Sequence, residues 1–356
     1  MNRFACMSPI TLAQACAAAA TPVADAMTRP ATEDATAAVR APVVIKAGGI
    51  DLLDLMKENL LAPATVVNLA RVPGLDAIEE QADGSLRIGA MATLASVAAH
   101  PLAKQRYPAL ADALGRSASP QIRHVATLGG NLLQRPRCWY FRAEAFHCVR
   151  KGGTQCFAIY GENQYHAIFD NDACAMVHPS TAATALVALG AEVELAGAHG
   201  ATRRLLLEEF LIPPARSLQR ENDLKPHEIL TAVRLPRLPG SVRMTHLKQG
   251  EKESFDWPLA DVAVVLDFAP DHRCTHAAVV LGAAAAVPWR SEAAAQALTG
   301  RHIDDAVAAE AALAALASAT PLSGNAYKRP LFEALVRRAV LATVQSQGTP
   351  HGPSPR

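Results

Sequence analysis

The sequence predicts an α+β chain of more than one domain, and three observations predict it. Short β-branched runs alternate with helical spacing through the first two thirds of the chain. Arg237-Leu238-Pro239-Gly240 then breaks the pattern, and beyond it come three strand-like segments succeeded by helices. At 356 residues, half of them hydrophobic, the chain is long enough to bury a sizeable core. Its 34 Lys and Arg against 33 Asp and Glu leave a net charge of +1, so no overall field draws in nucleic acid or an anionic membrane. No stretch approaches the roughly 20 consecutive apolar residues of a membrane-spanning helix.

Met1-Asn2-Arg3, ahead of an Ala-rich stretch ending near Val23-Ala24-Asp25-Ala26, has the outline of a leader. Ser8, Pro9, Thr11 and Gln14 interrupt its apolar centre, and Gln14 argues against a lipoprotein signal at Cys16. The expectation is a short strand near Phe4 and a helix over 11–20. Residues 21–42, rich in Ala, Thr and Pro, read as a surface excursion. Val43-Val44-Ile45-Lys46 is a strand; Ala47-Gly48-Gly49 follows, then Leu52, Leu53, Met56 and Leu60 at helical spacing, with Asp51 and Asp54 in the first turn.

Strands are expected at 65–69 and 86–90, the second after an Asp83-Gly84 turn, and helices at 93–99 and 108–114. Residues 192–196 and 203–207 make a hairpin, and 229–235 is a strand closed by Pro236. Beyond the break, strands are expected at 242–248, 261–268 and 276–281. A last helix over about 325–345 places Phe332, Val336, Ala339, Val340 and Val344 on one face. The polar, Pro-rich residues 346–356 read as a disordered tail.

Two glycine pairs carry the first functional signal. Lys46-Ala47-Gly48-Gly49-Ile50-Asp51-Leu52-Leu53 joins a strand to a helix, where exposed N–H groups can cradle a diphosphate; a tight connection without a ligand uses the same residues. The second stretch, Arg123-His124-Val125-Ala126-Thr127-Leu128-Gly129-Gly130-Asn131, adds Thr and Asn side chains able to bond phosphate or ribose. Its bland alternative is a buried glycine bend. The dinucleotide and P-loop glycine signatures are both absent from the sequence.

In this order the two stretches resemble the FAD-binding medium subunits of the xanthine dehydrogenase, carbon monoxide dehydrogenase and aldehyde oxidoreductase family. His178-Pro179-Ser180, Leu230 with Pro236, Leu247-Lys248 before Phe255-Asp256-Trp257, Leu281-Gly282 with Pro288-Trp289-Arg290, and Tyr327-Lys328 extend the likeness over about residues 43–345. The resemblance implies two α/β subdomains, 1–69 and 70–237, that grip FAD between them. A C-terminal domain, 240–345, with a three-stranded antiparallel sheet and helices follows. It implies that Lys46, Ala47, Gly48, Gly49, Ile50, Asp51, Leu52 and Leu53 wrap the diphosphate. Ala118, Thr127, Gly129, Gly130, Asn131 and Ser180 would face the cofactor, with Leu230 and Lys248 near the flavin. Three positions depart from the family pattern: Ile50 replaces Thr, His124 replaces Asn, and Thr181 replaces an Asp that would contact FAD.

Four of the seven cysteines, Cys138, Cys148, Cys156 and Cys174, fall in an insertion at 135–177, while Cys6, Cys16 and Cys274 are scattered. Four thiolates suit a [4Fe–4S] cluster, and Arg137, Arg142, Arg150 and Lys151 are placed to offset its charge. Eight of the seventeen aromatics lie between Trp139 and Phe169, a concentration able to exclude water from a redox centre. Zinc, which favours C-x2-C pairs, disulfides, which need an oxidising compartment, and coincidence remain open on spacing alone. The insertion is similar to the one in flavin subunits of the periplasmic aldehyde oxidoreductase type, which implies a [4Fe–4S] cluster. His147 and His166 read as solvated or hydrogen-bonded side chains.

The expected function is electron transfer. Electrons would pass from a molybdenum cofactor in a large partner subunit, through the [2Fe–2S] clusters of a small subunit, to FAD here and on to a terminal acceptor. No catalytic side chain is needed, because the cofactor carries the chemistry. A self-contained flavin oxidoreductase is the alternative, but no His, Tyr or carboxylate constellation accompanies the flavin motifs; a zinc-stabilised scaffold is another, separable by a visible spectrum. The expected compartment is the cytoplasm, or the periplasm if the chain is exported folded with a partner carrying the signal.

Overall fold

The structure, a computed structural model, describes residues 2–20, 22–27, 43–252 and 255–345. The first layer is a parallel sheet of β1 (Ala5–Met7), β2 (Val43–Lys46) and β3 (Thr65–Asn68) in the order β1-β3-β2. The helix Leu12–Ala18 follows β1, with Thr11 Oγ1 accepting from Gln14 N at its start. After β2 the chain turns through Gly48 and Gly49 into the helix Ile50–Lys57, whose Leu52, Leu55 and Met56 are buried against Val44 and Val66. Phe141 and Cys148 complete this core, so the cysteine insertion packs directly on the first layer.

The second layer is antiparallel: β4 (Ile78–Glu80), β5 (Leu86–Gly89), β6 (Glu192–Ala196), β7 (Thr202–Leu206) and β8 (Ile229–Leu235), ordered β4-β5-β8-β6-β7. Sequence-distant β5 and β8 are neighbours, and the helices Leu94–Ala99, Pro108–Gly115 and Thr181–Ala188 bury their apolar faces on this sheet. Each of these three helices begins at a capping residue or a proline, Thr93, Pro108 and Ser180 respectively.

The C-terminal sheet has four strands where three were expected: β9 (Arg243–Gln249), β10 (Ala260–Phe268), β11 (Cys274–Gly282) and β12 (Trp289–Arg290), in the order β12-β11-β10-β9. Two residues are too few to show alternation, so β12 is defined only by its pairing with Val280 and Leu281. The helices Glu292–Leu298, Asp305–Ala315 and Lys328–Gln345 cover the sheet, joined by Ile168 and Phe169 of the insertion. Phe169 stacks on Trp289 at 4.5 Å between ring centroids.

Smaller differences have local causes. β4 is Ile-Glu-Glu, too short and polar to read as a strand, and the helix Pro101–Arg106 begins on a proline directly after another helix. Within the expected surface excursion, Val23–Ala26 is helical and Met27 is buried. Most of that segment, and the expected tail at 346–356, lie outside the described residues. Among the described residues no helix is long and apolar enough to cross a membrane.

Candidate functional site

The two glycine stretches, far apart in sequence, close on one another. A β-carbon on Gly48 would sit 2.2 Å from the Val125 carbonyl oxygen, and one on Gly130 would touch Ala47 at 3.7 Å. Gly49 has φ +89°, a conformation that side chains resist, and it opens the helix Ile50–Lys57 with no side-chain cap. The first-turn N–H groups are therefore left for a ligand, at the end of the helix where the dipole favours an anion.

The stretches border a cavity of ≈ 540 Å³, a size that suits a large organic cofactor. Ala47, Gly48, Gly49, Ile50, Asp51, Leu52, Ala118, Thr127, Gly129, Gly130, Asn131, Leu230 and Lys248 line it. Lys46, Leu53 and Ser180 are not among its lining residues. Lys46 bends back so that Nζ donates to the Ala47 carbonyl at 3.1 Å. Ser180 stands behind Asn131, its hydroxyl donating to Asn131 Oδ1 at 2.6 Å and accepting from Ala183 N at 3.0 Å.

The cavity wall is held by local bonds. Thr127 Oγ1 accepts from Gly130 N at 3.1 Å, which shapes the second glycine turn. Ala118 adopts φ 49°, and its carbonyl accepts from Arg123 Nη1 at 2.5 Å. Lys248 donates to the carbonyls of Arg116, at 3.2 Å, and Asp256; burial pushes its ammonium below the usual lysine range, with Asp261 and Asp256 opposing.

Of the departures from the family pattern, Ile50 and Thr181 line the cavity, while His124 is exposed with Nδ1 2.7 Å from the Pro120 carbonyl. Arg135, Arg137, Glu221 and Trp257 also line it, although nothing in the sequence singled them out for this cavity. They come from connecting segments whose placement no local periodicity reports.

Cys138, Cys148, Cys156 and Cys174 converge on a second, smaller cavity walled by Tyr140, Phe141, Phe157 and Met176. Tyr140, Phe146 and Phe157 pack on one another with centroids 5.0 to 6.1 Å apart. All four cysteines are free thiols. Burial pushes Cys138 up to about 12 and raises Cys148 as well. A hydrogen bond from Cys156, then the Arg150 charge, brings Cys174 down against its burial.

Arg150 Nε donates to Cys174 Sγ at 3.2 Å, and His166 Nε2 lies 3.2 Å from Cys138 Sγ, so His166 is a hydrogen-bonding neighbour. Arg137 and Arg142 instead grip Asp51 and Asp54 of the helix Ile50–Lys57. Among the described residues no three His, Cys, Asp or Glu side chains gather closely enough to hold a single metal ion. One tetrahedral zinc would require sulfurs about 3.8 Å apart.

The fold and the first cavity define a chain built to hold a large organic cofactor, and similarity to known proteins makes the class specific. The family described as FAD binding domain in molybdopterin dehydrogenase matches residues 3–238, and that described as CO dehydrogenase flavoprotein C-terminal domain matches 245–343. The chain belongs to this family of molybdenum hydroxylase FAD subunits.

It is 36% identical over 307 residues, 85% of this chain and 91% of the relative, to the aldehyde oxidoreductase FAD-binding subunit PaoB of Escherichia coli (strain K12). It is 27% identical to the carbon monoxide dehydrogenase medium chain of Hydrogenophaga pseudoflava, over 83% of this chain and 87% of that one. A solved carbon monoxide dehydrogenase from Hydrogenophaga pseudoflava shares the fold with a TM-score of 0.69 at 24% identity, covering 96% of this chain and 97% of that one.

Proposed function

We propose that the chain is the electron-transfer subunit of a hetero-oligomeric molybdenum hydroxylase, working with a molybdenum cofactor-binding large subunit and a [2Fe–2S] small subunit. The observation that carries this reading is the closure of two remote glycine stretches on one cavity of ≈ 540 Å³. Bound FAD supplies reversible uptake and release of electrons, and the chain supplies position and electrostatics. The uncapped turn after Gly49 offers N–H groups to a diphosphate, Asn131 is oriented by Ser180, and Lys248 sets a cation at the wall. Electrons from the partner's clusters enter here and leave to a terminal acceptor.

The same proposal places a [4Fe–4S] cluster on Cys138, Cys148, Cys156 and Cys174. Its support is the chemistry of the donor set: four sulfurs around one cavity, with neither carboxylate nor imidazole in its wall. Raised thiol pKa values do not oppose it, because bound iron deprotonates the thiols it ligates. The chain would work in the cytoplasm, or in the periplasm after folded export with a signal-bearing partner. The test is the visible spectrum and metal content of this subunit within its purified complex: flavin bands over a broad iron–sulfur absorption are expected. A folded, colourless protein with stoichiometric zinc and no iron overturns both cofactor assignments.

A further inference from the structure

Between the two cavities runs a buried chain of charge. Arg150, 1% exposed, donates through Nε to Cys174 Sγ at 3.2 Å and through Nη1 to Glu221 Oε1 at 2.8 Å. The other oxygen of Glu221, Oε2, accepts from Arg135 Nη1 at 2.8 Å. Arg150 lines the cysteine cavity, while Glu221 and Arg135 line the larger one. One carboxylate therefore holds two guanidiniums that face different sites.

The unmet donors reinforce this arrangement. Among the described residues, Nη2 of Arg150 and both Nε and Nη2 of Arg135 are buried without a hydrogen-bond partner. A buried, unpaired guanidinium N–H is costly, and in a native protein it calls for an acceptor. Arg135 lines the larger cavity and Arg150 the smaller one, and the Arg135 guanidinium also lies over the Phe141 ring, 5.0 Å from its centroid.

We infer that Arg150–Glu221–Arg135 is an energetic link between the cluster site and the FAD site, so that each cofactor changes the affinity or potential of the other. The inference rests on the cofactor assignments proposed above. The link is electrostatic and positional. Glu221 orients Arg150 toward Cys174, and hydrogen bonds and charge at the sulfurs set a cluster's potential. The charge that FAD brings to the cavity acts on Arg135 through space, which alters how strongly Glu221 is held and hence how strongly Arg150 serves the sulfur. Such coupling is reciprocal by thermodynamic necessity.

The removal of either charge has a predictable sign. Arg150→Met takes a cation from the cluster and should lower its midpoint potential. Glu221→Gln removes the shared anion but keeps an amide oxygen that accepts from Arg150 and holds it toward Cys174, and should raise it. A variant that merely loosened the fold would not move the potential in opposite directions at the two positions.

The test uses the purified complex with its partner subunits. The cluster midpoint potential is measured by spectroscopically monitored redox titration in FAD-replete and FAD-stripped wild type. A coupling of about tenfold is expected, which is a shift of about 59 mV for a one-electron couple. In Glu221→Gln the shift between replete and stripped forms should fall to less than a third of the wild-type value. Iron present in the wild type with no shift on stripping, or a shift unchanged in Glu221→Gln, overturns the link alone. Wild type without iron overturns the cluster assignment, and the link with it; the wild-type comparison holds even if a variant fails to fold.

Discussion

The Ser180 hydroxyl donates to Asn131 Oδ1 at 2.6 Å and so joins the start of one helix to the wall of the FAD cavity. The same oxygen accepts from Ala183 N and caps the helix Thr181–Ala188. Ser180→Ala should cost about 1 kcal/mol of stability through the lost cap. It should also release Asn131 and weaken FAD retention severalfold. Chemical denaturation and flavin fluorescence read the two effects separately; a loss of stability with unchanged flavin affinity would confine Ser180 to capping.

Gly48 has no room for a side chain, because the Val125 carbonyl occupies the space. Gly48→Ala should force the two glycine stretches apart, costing about 1–3 kcal/mol as overpacking does. FAD should be lost from most of the protein. A variant retaining stoichiometric flavin would show that the contact between the stretches does not shape the site.

Thr181 stands at the first helical position beside the FAD cavity, where the sequence resemblance leads one to expect Asp. Thr181→Asp places a carboxylate at a buried helix start, where the dipole offsets only part of its desolvation; it should lower stability yet tighten FAD binding, measured as a slower release of flavin on dilution. An unchanged release rate would mean that this position does not contribute to binding.

Cys148→Ser should remove iron while leaving most of the FAD under saturating flavin, since the FAD cavity is walled by other residues. Iron and flavin quantified in Ser variants of Cys138, Cys148, Cys156 and Cys174, with Cys6, Cys16 and Cys274 as controls, check this. If the controls lost iron and the four in the insertion kept it, the ligand set would be wrong.

His178 is buried beside Arg150, and burial first, then that charge, lowers its pKa to about 4. The unfolded chain takes up a proton near pH 6.5 while the folded chain does not, so stability present above pH 6.5 is lost as pH falls toward 4. At about 1.4 kcal/mol per pKa unit, the loss is on the order of 3 kcal/mol. Denaturation midpoints between pH 7 and 4.5 should fall less steeply in His178→Phe than in the wild type; equal slopes would assign the acid sensitivity to other groups.

Most strands were legible because their signal is local: β-branched runs bounded by Gly and Pro, such as Val43–Lys46 and Ile229–Leu235, need no partner to be recognised. The glycine stretches and the four cysteines stood out for the same reason, as residue types whose spacing constrains chemistry. The two-residue β12 has no period to read, and Lys46 and Leu53 belong to the motif but not to the cavity wall, because a motif gives no direction to a side chain.

By itself the sequence determined which residues could bend tightly, cap helices and offer sulfur, since these are properties of single residues and short spacings. Only the tertiary structure decided that Ser180 orients Asn131, that Arg137 and Arg142 bind Asp51 and Asp54, and that Glu221 joins Arg135 to Arg150. Those partners are far apart along the chain. They meet because the sheet order β4-β5-β8-β6-β7 and the packing of the insertion on the first layer bring them together, and for the buried Glu221, Arg135 and Arg150 a charge removed from water must find its counterpart.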